Sequence, residues 1–304
     1  DNRAQHTAYP KLPRDLPLIS VITPSFNQVS YLEACIRSVI EQDYPNIQYI
    51  IMDGGSTDGS REIIEKYAHQ LYYWQSQPDN GHYWAVQEGI NRSTGEIVTW
   101  LNSDDQFHPY AFRIAASIFM QRSDIAWITG RPNNINADGT KFSESTVLPV
   151  WSRQRFLDRQ YHRPFVQQEG TFWRRSLWEK AGGKMETRLS LAGDMELWTR
   201  FLRYTALYSA DYSFAAYRTH GDNRALLFMD RYLEEAESVI DQELKMFREG
   251  IWPQLDPAPE PIAKKQIATF LFKSGLHRAV TPKKEAPPEP SPQAGGKKPR
   301  LSIT

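Results

Sequence analysis

The chain has 304 residues, enough for one large domain or two modest ones. Its 36 Lys and Arg balance 36 Asp and Glu, so bulk charge gives no affinity for nucleic acid, and none is expected as a partner. Apolar residues at 40% exclude a wholly disordered chain, and no apolar run approaches the ~20 residues of a membrane span. The single cysteine, Cys35, rules out an intramolecular disulfide framework and a Cys-cluster zinc site. With no secretory h-region, a soluble cytosolic protein is expected. An opening Asp in place of Met suits a piece of something larger, whose other segments could change that location.

Residues 1–17 are polar and Pro-containing and read as a lead-in. Residues 18–23 (LISVIT) form a short β-branched run, a strand buried on both faces. Ser30 and Glu33 make a capping-box pattern, and Leu32, Cys35, Ile36, Val39 and Ile40 keep helical spacing until Pro45. Residues 47–52 are a second strand, and Asp58 can cap a helix carrying Ile63, Ile64 and Tyr67. Strands at 71–75, 97–101 and 125–129 alternate with helices at 85–91 and 109–120. Such βαβ units imply a mostly parallel sheet covered on both sides. After about residue 150 aromatics crowd in, and a long helix is expected from about 226 to 248. Residues 281–300 hold six prolines and almost nothing apolar, the composition of a disordered tail.

Three polar clusters follow predicted strands, where open parallel sheets bind ligands: Thr23-Pro24-Ser25-Phe26-Asn27, Asp53 through Gly59, and Asn102-Ser103-Asp104-Asp105. Any one of them suits an ordinary turn; three at one sheet edge favour a site. The first turn lacks a dinucleotide glycine fingerprint, no Walker A sequence is present, and the Asp53 loop fails the EF-hand pattern. Two carboxylates and an amide oxygen at 102–105 suit a hard divalent cation, Mg²⁺ or Mn²⁺.

The runs LISVITPSFNQVSYLEACIRSVIEQDYPNIQYIIMDGGSTDGS and QPDNGHYWAVQEGINRSTGEIVTWLNSDD resemble the nucleotide-sugar-binding half of family-2 glycosyltransferases. QEGTFWRRSLWEKAGG and LAGDMELWTRFL resemble that family's acceptor-side and catalytic-base segments, so the likeness covers roughly residues 17–222. It implies an α/β fold: a single GT-A-type domain with a mostly parallel central sheet flanked by helices, a Rossmann-like nucleotide-binding half and a C-terminal helical extension. The divisions expected are 18–130 for the donor half, 131–222 for the acceptor and catalytic half, 223–280 for the extension and 281–304 for the tail. The implied reaction moves a sugar from a nucleotide-diphosphate donor, a UDP-sugar, with inversion, in the building of a polysaccharide or other glycan.

Position by position, Thr23, Pro24, Ser25 and Asn27 match the family loop around the base and ribose. Asp53 matches the acid that hydrogen-bonds the base, and Asn80 and Gly81 a segment beside the donor. Asn102-Ser103-Asp104 matches the Asp-x-Asp metal motif, with Asp104 and Asn102 as ligands for Mn²⁺ or Mg²⁺. Asn102 is one charge poorer than the family acid, and Trp84 and Gln87 stand where relatives tend to carry Asp and Asn, so the sugar cannot be borrowed from a relative. Arg218 and His220 sit where an Arg-x-His segment lies near the diphosphate, though a surface Arg and a solvated His fit the residues equally.

Asp194 matches the general base, which would take the acceptor hydroxyl's proton; it also suits an N-cap for a helix beginning at Met195. Gln168, Glu169 and Trp173 are candidate acceptor contacts, with core packing the stronger alternative for Trp173. Residues 261–280 mix Ile, Phe and Leu with Lys and Arg. That pattern suits peripheral contact with an anionic membrane carrying lipid-linked acceptors, or a helix packed on the domain or on a second copy in a homo-oligomer. A binder that keeps the fold without catalysis is the competing class. A nucleotidyltransferase is disfavoured, because the first strand lacks a glycine-rich, basic triphosphate loop.

Overall fold

The structure, a computed structural model, describes residues 15–159, 166–252 and 257–277. The tail expected at 281–304 lies outside the described residues. From Ile19 the chain alternates β1 (Ile19–Ser25), α1 (Val29–Ile40), β2 (Ile47–Asp53), α2 (Ser60–Tyr67), β3 (Tyr73–Ser76), α3 (His82–Asn91) and β4 (Ile97–Trp100). β5 (Gln106–Phe107), α4 (Ala111–Gln121), β6 (Trp127–Thr129), β7 (Asn133–Asn136), β8 (Lys141–Glu144) and α5 (Arg153–Leu157) follow. Then come β9 (Phe172–Arg174), α6 (Arg175–Lys180), α7 (Gly193–Phe201), β10 (Tyr208–Ser209) and β11 (Ala215–Thr219). The described chain closes with α8 (Arg224–Leu227), α9 (Met229–Arg248) and α10 (Lys264–Lys273).

The main sheet has seven strands in the order β10-β6-β9-β4-β1-β2-β3, and a smaller sheet runs β5-β11-β7-β8. β2 pairs parallel on one side of β1 and β4 pairs parallel on the other. Strand order therefore reverses at β1, and a crevice opens where the β1 and β4 loops diverge. β9 runs antiparallel between β4 and β6, so the mostly parallel reading holds with one reversed strand that the aromatic crowding had hidden.

The pleat divides the core in two. Ile19 and Val21 of β1 pack with Leu32, Ile36 and Val39 of α1, Phe112 of α4 and Ile267 and Leu271 of α10. Ile22, on the other face, packs with Val86 of α3, Trp198 and Phe201 of α7 and Ile240 of α9. α10 thus lies on the domain with Ile267 and Leu271 buried, one of the arrangements expected for 261–280. No helix among the described residues is long and apolar enough to cross a membrane.

The Ser30 capping box does not form: α1 starts at Val29. Its first amides are served from the neighbouring loop, Val29 N–H by Asp58 Oδ2 at 2.9 Å and Gln28 N–H by Ser60 Oγ at 3.0 Å. On the other face, Trp198 stacks on Trp100 (5.5 Å between ring centres, 9° between planes) and on Trp127 (5.2 Å, 27°). Trp198→Ala would leave a cavity between sheet and helix, and a loss of about 3–5 kcal/mol is expected in urea unfolding. A loss below about 1 kcal/mol would show that this stack does not hold the layers together.

Candidate active site

Three loops meet at the carboxyl edge of the sheet. Asp53, fully buried at the end of β2, accepts from Gly55 N–H at 3.2 Å, Ser56 N–H at 2.9 Å, Ser56 Oγ at 2.5 Å and Ser76 Oγ at 2.6 Å. Its oxygens shape the 53–60 loop. Asn27, at φ 51°, accepts from Thr57 N–H at 2.9 Å and donates its own amide to Ser56 Oγ at 2.7 Å, lacing the β1 loop to the β2 loop. Gly55 lies at φ 83°, and a Cβ there would stand 2.9 Å from Pro78 N, so the 77–81 segment closes on the same place.

Thr23 and Pro24 prove to be body residues of β1, buried and paired with Ile51 and Met52, which removes them from the surface. Phe26 is the aromatic that emerges, 61% exposed, beside Gly54 and Asp79. Asp79 accepts from Gly81 N–H at 2.8 Å and opens α3, with Asn80 and Gly81 exposed next to it. Burial pushes its carboxyl above the ordinary aspartate range. Phe26 was part of the first cluster but was not singled out, and Asp79 was passed over; an aromatic between Ser25 and Asn27 and an acid before an Asn-Gly turn were the available signals.

After β4, Asp104 receives His220 Nε2 at 2.9 Å and Asn223 Nδ2 at 3.4 Å. Asp222 N–H donates to His220 Nδ1 at 3.2 Å, which leaves the ring proton on Nε2 for Asp104. The Tyr31 ring lies 4.6 Å from that imidazole. Arg218 is no surface residue, contrary to one of the two expectations. At 2% exposed it spends its guanidinium on the carbonyls of Asp104 (2.6 Å), Asn136 (3.2 Å) and Ala137 (2.9 Å). His220 is likewise buried, not solvated.

Asn102 Oδ1 is buried with no hydrogen-bond partner, whereas the buried carboxyls of Asp105 and Glu169 hydrogen-bond to each other. An amide oxygen left orphaned in the loop that carries Asp104 is what a hard cation would satisfy. Among the described residues no three His, Cys, Asp or Glu side chains form a complete cage. A cation shared with phosphate oxygens needs only one or two protein ligands, so Asp104 with Asn102 fits that use.

Because β9 is antiparallel, the segment entering it arrives at the carboxyl edge of β4 and carries Gln168 and Glu169 into the crevice. Gln168 donates to the Trp100 carbonyl at 2.6 Å, while its Oε1 is buried with no hydrogen-bond partner. Trp173 is fully buried in the tryptophan cluster and does not reach a surface, so it is withdrawn as an acceptor contact. Glu169 is pushed up to about 7, by burial first, with Asp104 and Asp194 adding. Asp105 is raised well above its ordinary value by burial, then by Asp104 and Glu169.

The folded chain thus holds a proton on the buried Asp105–Glu169 pair that the unfolded chain gives up. That stabilisation is complete below the unfolded pKa of about 4.3 and is lost as pH rises through the folded value near 7. Without divalent metal, Glu169→Gln is expected to raise the melting temperature at pH 8 and leave it nearly unchanged at pH 3.5. Equal shifts at both pH values would refute the assignment.

Asp194 lies in the first turn of α7, not at its N-cap, which is Ala192. Its Oδ1 accepts from Met195 N–H at 2.8 Å and stands 3.3 Å from the Tyr83 hydroxyl of α3. Burial pushes it up to about 6. The Trp100–Trp198 stack ties the strand that ends at the Asp104 loop to the helix that carries Asp194.

The glycosyl transferase family 2 model matches residues 20–182, more than half of the chain. The chain belongs to glycosyl transferase family 2. It is 33% identical over 136 residues to TuaG of Bacillus subtilis, named for teichuronic acid biosynthesis, over 44% of this chain and 54% of that protein. The chain therefore spans about half the length of that relative. In fold it is similar to residues 1–349 of Staphylococcus aureus TarS in complex with UDP-GlcNAc (TM-score 0.60, 16% identity, 86% of this chain and 73% of that one). It is also similar to the mannosyltransferase PcManGT of Pyrobaculum calidifontis with GDP-Man and Mn²⁺ (TM-score 0.51, 16% identity, 89% and 72%). The family-2 architecture explains the GT-A-type layering, while Asp194, Arg218 and His220 lie beyond the matched residues.

Proposed function

We propose that this family-2 domain transfers a sugar from a UDP-sugar to a hydroxyl of a glycan or lipid-linked acceptor, with inversion, in the building of a polysaccharide. The observation that supports this reading is the Trp100–Trp198 stack, which sets the strand leading into the Asp104 loop against the helix that carries Asp194, with the buried Glu169 raised by both carboxylates. Phe26 offers its exposed face to the base, and the laced loops at 25–29 and 53–60 hold that face in place.

Asp104 and Asn102 would hold Mn²⁺ or Mg²⁺, as the Mn²⁺ in PcManGT suggests by analogy; when bound, that cation neutralises charge developing on the diphosphate. His220 and Asn223 orient Asp104. His82, held neutral because burial and then Arg224 push it down to about 4, sits at the same end of α3. Asp194 accepts the acceptor proton while the hydroxyl oxygen bonds to the anomeric carbon and the bond to the diphosphate breaks on the opposite face. A pKa near 6 keeps Asp194 ionised at neutral pH yet basic enough to take that proton.

The test is thermal stabilisation by UDP, UDP-GlcNAc and GDP-mannose, each with and without Mn²⁺. Stabilisation by the uridine ligands that requires Mn²⁺ supports the donor assignment. A response to GDP-mannose alone would replace uridine, and no response to any of them would sink the reading.

A further inference from the structure

α7 starts at Gly193 with no side-chain cap from Ala192, and inside its first turn only the Met195 amide is met, by Asp194 itself. The residues that lead into it are held from α9. Glu235 accepts from Ser190 N–H at 3.1 Å, Ser190 Oγ at 2.8 Å, Leu191 N–H at 2.9 Å and Ala192 N–H at 3.0 Å. Those amides keep its carboxyl below the ordinary glutamate range despite partial burial. From the opposite side, the Tyr83 hydroxyl donates to the Leu191 carbonyl at 2.6 Å. Gly193 admits that ring, since a Cβ there would stand 2.7 Å from two of its carbons. The four residues before Asp194 are therefore gripped by α9 and α3 together.

We propose that Glu235 is a positioning residue for Asp194, which makes α9 part of the catalytic unit and not a dispensable extension. The inference rests on Asp194 being the base. Glu235 acts through the 190–192 backbone: a carboxylate receiving three amides fixes where α7 starts, and so where its second residue points. The groups facing Asp194 are Tyr83 from α3, Tyr232 from α9 and Glu169 from the turn before β9. Glu235 is not among them, so a change at 235 reaches Asp194 by moving the loop.

The experiment follows the Asp194 side-chain carbon by ¹³C NMR across a pH titration of the full chain without donor or metal, with Asp194→Asn assigning the signal. The wild-type midpoint is expected near 6. Glu235→Ala frees the loop and lets water reach Asp194, lowering the midpoint by about one unit. Glu235→Gln removes the charge but keeps one acceptor oxygen, and stays closer to wild type. Should the alanine variant not fold, Glu235→Asp, one methylene too short to reach the amides, is expected to give the same fall. An unchanged midpoint in Glu235→Ala or Glu235→Asp, or equal shifts in the Gln and Ala variants, would overturn the proposal. No donor enters the titration, so that failure is separate from a failure of the transferase reading, which is judged on Asp194→Asn turnover.

Discussion

Asp194→Asn is expected to lower turnover by about 10²–10⁴-fold while nucleotide affinity in the presence of Mn²⁺ stays at the wild-type value. The amide keeps the side chain's size and can still accept from Met195 N–H, so α7 should start as before. What it loses is the ability to take a proton from an acceptor hydroxyl. The wild-type rate should also fall on the acid side as Asp194 protonates near pH 6. That limb should vanish from the residual activity of the variant. If Asp194→Asn turned over at the wild-type rate, the base would have to be sought elsewhere, with Glu169 the next carboxylate in the crevice.

The second large effect is expected at Asp104. Asp104→Ala should abolish the Mn²⁺-dependent part of UDP binding and lower kcat/KM by at least about 10²-fold, the scale of losing electrostatic stabilisation at the leaving group. The fold should survive, because Arg218 holds this loop through the Asp104 carbonyl and not its carboxylate. Stability without metal should change little, since the relief of Asp105 and Glu169 from a charged neighbour is offset by the donors of His220 and Asn223 left without their acceptor. Calorimetric titration with UDP, with and without Mn²⁺, beside a melting curve, separates these outcomes. Metal-dependent UDP binding retained in a folded Asp104→Ala protein would place the cation elsewhere.

The strands β1, β2 and β4 could be read from the chain because each is a β-branched run buried on both faces, bounded by turn residues. The smaller sheet could not. β7 (NNIN) and β11 (AAYRT) are too short and polar to carry a period, and they pair across more than eighty positions. Asp104 and Asp194 were legible because their neighbours match a family pattern. Asp53 was legible as important, but its serine and glycine donors turn it inward. Arg218 and Glu235 were not legible in their roles, since their partners lie far off in sequence and consist of backbone carbonyls or amides, which no side-chain pattern records. Trp173 misled for a simpler reason: an aromatic suits a sugar face and a core equally, and composition does not choose between them.

The single reversed strand has a further consequence. β1, β2 and β4 bring their loops to the crevice by running up to it, whereas β9 brings Glu169 there by setting out from it. A two-residue slip of β9 against β4 would keep every side chain on its own face and withdraw Glu169 by about 7 Å. The β1, β2 and β4 loops and Glu169 are thus placed by independent rulers, and lengthening or shortening the approach to β9 would move the one with the others left standing.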